Sequence, residues 1–191
     1  MKTKLEQLHH LLESGRVTVR TREVLLDRIG VTPSGIPQFF TAPELACLVA
    51  IAAVVVPHES AHWRTNVAGE IDARLFRGDG KGWRYAELLP EPEMYKQGLE
   101  LINRGAQERF SGRNFADLEF HDQEHVLRLT FENGSVAVWA DLFWEELLVD
   151  IVEAYYAHPY AQATLGAFGM ADIADRNPPE VALEDHLPNT Q

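Results

Sequence analysis

Cysteine occurs once in this 191-residue chain, at Cys47, so neither an internal disulfide nor a cysteine-based metal site can be built. Cys47 lies in an apolar run, where a thiol serves as a small buried hydrophobe rather than as a nucleophile. Basic residues are also scarce. The 17 Lys and Arg stand against 29 Asp and Glu, a net charge of -12, and the basic ones are scattered. That balance argues against binding to nucleic acid or to anionic lipid. The longest apolar run, Leu45 to Pro57, is too short to span a bilayer, so no direct membrane insertion is expected. The N-terminal stretch "MKTKLEQLHHLLESGRVTVRTREVLLDRIG" is charged throughout and has no apolar core of signal-peptide length. A cytoplasmic chain is expected on that ground. Nucleotide motifs are missing too: in "RGDGKGW", Gly82 and Trp83 follow Lys81 where a phosphate loop needs Ser or Thr. No internal repeat occurs, and no alternating pattern is long enough to build a sheet.

What the sequence has instead is helical periodicity. Leu5, Leu8, Leu11 and Leu12 share one face ahead of Gly15, and Val24, Leu25 and Ile29 repeat the pattern ahead of Gly30. "VTPSGIPQ" reads as a linker. In "FFTAPELACLVAIAAVVVP", Thr41 and Glu44 form a capping box and Pro43 suits the first turn. The apolar run behind them predicts a helix buried on most of its circumference, ending near Pro57. Val67, Ile71 and Leu75 mark the next helix. Met94, Leu99, Ile102, Ala106 and Phe110 mark another, with Gly98 tolerated inside it. Phe120, Leu127 and Phe131 suit a helix ending at Asn133-Gly134, and Trp139 to Tyr155 an aromatic-rich one closed by His158-Pro159. The expected fold is all-α: a compact, irregular bundle of about six to seven helices with an extended C-terminal tail. Its expected parts are a helical arm and linker over 1–36, a helical core domain over 37–160 and an irregular tail over 161–191.

Two stretches carry metal-ligand spacing. His58-Glu59-Ser60-Ala61-His62 fits the zinc-protease pattern H-E-x-x-H, in which two histidines one helical turn apart hold the metal and Glu59 activates water. His121-Asp122-Gln123-Glu124-His125 fits the inverted pattern. Pro57 places His58 at a helix boundary, and "WRTNVAG" after His62 lacks a third histidine. Glu70, Glu87 and Glu91 qualify as third ligands by type, but nothing in the spacing singles one out. In a chain with eight histidines and many glutamates such a match arises by chance in about one chain in thirty. His121 and His125 fit an exposed helix start beside Asp117, Glu119 and Asp122. No metal is therefore expected, and the alternative is a zinc or di-metal hydrolase built on His58, Glu59 and His62.

The order "FFTAPELACLVAIAAVVVP", "VAGEIDARL", "YKQGLELINRGAQERFSGRNFADLEFHDQEHVL" and "FWEELLVDIVEAYYAHPYAQ" resembles the gluconate 2-dehydrogenase subunit 3 family from about Phe39 to Met170. Its most specific pieces are Phe39-Phe40-Thr41 with Glu44-Leu45, the segment from Arg109-Phe110 to Phe115-Ala116-Asp117-Leu118, and Tyr156 with His158-Pro159. The resemblance implies a small, all-helical, non-catalytic subunit holding no cofactor of its own. Its implied partner is a large FAD-dependent dehydrogenase subunit of the glucose–methanol–choline class, which oxidises sugars, glycosides or sugar acids. Electrons often pass onward to a cytochrome c subunit. Family members commonly carry a twin-arginine export signal and are thought to assist folding or co-export, which would place the complex in the periplasm. The chain departs from that pattern, with Thr21 between Arg20 and Arg22 and with Ala161-Gln162-Ala163 where the family has Gly-Gly-Asn.

Apolar residues in poorly patterned segments gain little unless another surface covers them. Leu8, Leu11, Tyr160, Leu165, Phe168 and Met170 are therefore expected at a partner interface, and so are Trp83 and Tyr85, because large aromatics serve as interface anchors.

Overall fold

Eight α-helices and one 3-10 turn make up the described residues, with no strand among them. The structure is a computed structural model, and it describes residues 4–14, 17–30, 36–56, 61–80, 89–131 and 137–164. The helices are α1 (Lys4–Glu13), α2 (Val19–Gly30), α3 (Ala42–Val55), α4 (Ala61–Arg77), α5 (Glu91–Arg109), α6 (Phe120–Phe131), α7 (Val138–Ala157) and α8 (Pro159–Thr164). The 3-10 turn, Phe115–Asp117, lies between α5 and α6. The all-α expectation holds. The helix beyond the expected count is short α8, which starts at the proline that stops α7 and crosses the boundary drawn at 160.

α3 is the central helix, touching α4, α5, α6, α7 and the 3-10 turn. Its start is set locally. The Thr41 N–H and hydroxyl both donate to Glu44 Oε2, at 2.7 and 2.8 Å, so the acid of the capping box satisfies the helix's first free donor. A second carboxylate fixes the approach to it. Buried Asp72 on α4 accepts the backbone N–H groups of Gln38, Phe39 and Phe40 at 2.7, 3.0 and 2.9 Å. Cys47, Leu48, Ile51 and Ala52 then enter a core shared with Ile71, Met94, Leu99, Ile102, Phe143, Leu147 and Ile151. Burial pushes the Cys47 thiol far above its ordinary range, with the Glu44 charge adding to the effect, so it is an inert apolar group.

α5 ends in a left-handed turn. Ser111 takes φ 53° and Gly112 φ 83°, while the Gly112 N–H donates back to Gln107 O at 2.9 Å. The turn aims Phe115 into the core, where two amide side chains hold it. Its N–H donates to Asn103 Oδ1 at 3.0 Å, and Gln123 Nε2 donates to the Phe115 and Leu118 carbonyls at 3.2 and 3.0 Å. The segment from Arg109 to Leu118 thus has a physical reason for its composition.

The N-terminal arm packs on α8. Leu8, 1% exposed, joins Leu12 and Leu25 in a small apolar cluster flanked by Ile29 and Tyr160. The surface covering Leu8 therefore lies within the chain.

Candidate functional site

A charged cluster ties the end of α4 to the start of α5 and the middle of α7. Arg74 Nη2 donates to Asp150 Oδ2 at 2.8 Å. Its Nη1 donates to the Asp79 carbonyl at 3.1 Å and forms a 2.7 Å ion pair with Glu91 Oε1, off the axis of a good hydrogen bond. The Tyr95 hydroxyl donates to the same Asp150 oxygen, and the guanidinium lies 5.9 Å from the Tyr95 ring centroid. Both carboxylates are nearly out of water, at 5% exposure for Asp150 and 6% for Glu91.

Such burial disfavours charge, so the partners decide what remains ionised. Burial opposes the charge on Arg74, but Glu91 and Asp150 together outweigh it and raise its pKa. Burial, followed by the Asp150 charge, pushes the Tyr95 hydroxyl far above the ordinary tyrosine range, against a smaller opposing pull from Arg74. A phenol held that firmly is no proton donor or acceptor near neutrality. The cluster's work is to join helices.

Beside it a cleft of about 240 Å³ opens between α4 and α7, lined among others by Glu70, Ile71, Arg74, Arg77, Glu153 and Ala157. This is smaller than the roughly 300–1,000 Å³ of sites that enclose a drug-sized ligand.

Tyr95 makes stability depend on alkaline pH in a definite direction. Below about pH 10 the hydroxyl is protonated in both folded and unfolded chains, and it contributes no slope. Above that, the unfolded chain releases the proton while the folded chain keeps it. Stability then falls by about 1.4 kcal/mol per pH unit from this group. Denaturant midpoints of wild type and Tyr95→Phe, followed from pH 9 to 11, are expected to converge as pH rises through about 10. Parallel curves would contradict a buried, protonated Tyr95.

Most of the first metal motif lies outside the described residues. His58 and Glu59 lie outside the described residues, as does Glu87, and His62 falls in the first turn of α4 with its side chain outside the description. Of the third-ligand candidates, Glu91 is committed to Arg74 and Glu70 borders the cleft. His121 and His125 are exposed on α6, and Glu124 pairs with Arg128 at 2.8 Å. No group of three or more His, Cys, Asp or Glu is placed to hold a metal among the described residues. Of the expected interface residues, Leu8 is internal, while Leu11 and Tyr160 are half-buried, with the Tyr160 hydroxyl 3.3 Å from His9 Nε2. Trp83, Tyr85, Leu165, Phe168 and Met170 lie outside the described residues.

The Arg74 cluster was not anticipated from the sequence, although a signal for it exists. Asp150 follows Leu147 and precedes Ile151, both wholly buried, so its position on the helix already points toward the core.

Fold and cluster together define a helical protein whose strongest described polar interactions join its own helices. A family model for gluconate 2-dehydrogenase subunit 3 matches residues 42–172, more than half of the chain, and the chain belongs to that family. No curated protein and no solved structure gives a match. The matched region runs from α3 through α8, so it contains Asp72, the Arg74 cluster and the held Phe115 turn, while the Gln38–Phe40 backbone that Asp72 holds precedes it. No described helix is long and apolar enough to cross a membrane.

Proposed function

We propose that this chain is a non-catalytic small subunit that binds a large FAD-dependent dehydrogenase subunit and stabilises it during folding and assembly. The family match over residues 42–172 carries the reading, because the family is named for a subunit of a dehydrogenase. The chain's own polar groups support an accessory role: Arg74 is committed to two carboxylates, while Tyr95 and Cys47 are held neutral. The flavin and the oxidation of a sugar, glycoside or sugar acid belong to a partner of the glucose–methanol–choline class, and a cytochrome c subunit accepts the electrons. The complex works in the periplasm if the two chains are exported together, and in the cytoplasm otherwise. Leu11 and Tyr160 contribute to the contact, together with Trp83, Tyr85, Leu165, Phe168 and Met170.

Co-expression tests this. A flavoprotein large subunit of that class from the same organism should give clearly more soluble, flavin-loaded and active protein with this chain than alone. Equal yield and activity without it would remove the assembly role. Elemental analysis of the purified chain should find no stoichiometric zinc. One tightly held zinc per chain, lost in His58→Ala, would move the reading to the hydrolase.

A further inference from the structure

α7 has one apolar face buried in the core and a second, interrupted by Glu145 and with Leu142 half-buried against the core, that is mostly exposed. Phe143, Leu147 and Ile151 are fully buried in the core. Around the other side run Val138, Leu142, Glu145, Val149, Val152 and Tyr156, at alternating spacings of four and three residues. Val138 is 79% and Val149 is 49% exposed, and Val152 and Tyr156 are exposed as well. A helix on a protein surface ordinarily shows polar residues to water, and one that is apolar all round is ordinarily covered. The spacing is that of a helix–helix seam, and the twenty residues of α7 give it a length of about 30 Å.

Charge indicates what covers the seam. α7 contains Asp141, Glu145, Glu146, Asp150 and Glu153 and not one Lys or Arg. Asp141, Glu145 and Glu153 are exposed, and none has an ion-pair partner among the described residues. A second copy of α7 laid on this face would set carboxylates against carboxylates, which disfavours self-pairing. The cleft beside this face is lined by Arg74, Arg77 and Asp150 as well as by Glu70 and Glu153, so the exposed carboxylates of α7 itself, rather than the cleft, set the sign of what meets the seam.

We infer that the exposed face of α7, from Val138 to Tyr156, docks an amphipathic helix of the large dehydrogenase subunit. That helix carries an apolar stripe flanked by Lys or Arg that face Asp141, Glu145 and Glu153. The inference rests on the accessory-subunit reading and adds the surface and the chemistry of what meets it.

A photo-cross-linking amino acid placed at Val152, with exposed Glu108 on α5, the helix packed against the buried side of α7, as control, tests the contact in the co-expressed pair. The expected product joins position 152, and not 108, to the large subunit. Glu145→Lys combined with Glu153→Lys should weaken the complex by about ten-fold or more without moving the unfolding midpoint, since both side chains are exposed. A complex that forms normally but cross-links only from 108, or ignores both charge reversals, would overturn the α7 surface and leave the accessory role standing. So would a cross-link from 152 to a second copy or within the same chain. Failure of the wild-type chain to bind the large subunit at all would overturn both.

Discussion

Arg74→Ala is expected to cost about 3–5 kcal/mol, because it leaves two buried carboxylates without their counter-ion. Asp150 and Glu91 have almost no access to water, and each faces the guanidinium within 2.8 Å. In a chain of this size the loss lowers the thermal midpoint by roughly 10 °C or more. Arg77→Ala, three residues along the same helix, is the control. Its partner Asp79 sits at 2.6 Å, but both side chains are more than half exposed, and such a pair contributes about 0–1 kcal/mol. Arg74→Lys should fall between the two variants, since it keeps the charge and loses the fork that reaches Asp150 and Glu91 together. Differential scanning calorimetry of the three variants would contradict the assignment if Arg74→Ala and Arg77→Ala lost the same amount.

Gly98→Ala is expected to destabilise by about 2–3 kcal/mol, although alanine is the better helix former by about 1 kcal/mol. Gly98 sits in the middle of α5, and a Cβ there would lie 2.3–2.4 Å from three carbons of the Phe143 ring. The ring is fully buried and meets Tyr95 edge-on at 5.6 Å, so it has no free space to retreat into. Phe143→Leu in the Gly98→Ala background should recover part of the loss. The double variant would then be more stable than the sum of the single losses implies, by about 1 kcal/mol. Chemical denaturation of the four proteins measures that coupling. A Gly98→Ala protein as stable as wild type would show that α5 and α7 are not packed through this gap.

These two sites mark the limit of what the sequence discloses. Helix ends are legible because their causes are local. Thr41, Pro43 and Glu44 lie within one turn of each other, and His158-Pro159 interrupts α7 where α8 begins. Gly98 is visible as an exception to the helix pattern, but its cause, Phe143, is in another helix. The same holds for Asp72, whose three acceptor contacts reach back across more than thirty residues to Gln38, Phe39 and Phe40. Arg74, Asp150, Glu91 and Tyr95 also meet only in the folded chain, so the sequence can show that Asp150 faces inward but not what it meets there. The arm's leucines show the converse. Their pattern correctly calls for a covering surface, yet periodicity cannot tell whether α8 or another protein supplies it. The histidine pairs illustrate a third limit, for Glu124 fits a motif by type but pairs with Arg128 one turn along. The family was legible because it depends on an order of apolar and aromatic segments, and those segments are what build the core.

The most direct test is the mass of what this chain assembles into. Co-expressed with a flavoprotein large subunit of the proposed class from the same organism and examined by native mass spectrometry, the two should leave the column together. Their measured mass should equal whole numbers of both chains plus FAD. Two separate species, each at its own mass, would contradict the assignment of this chain as a dehydrogenase subunit.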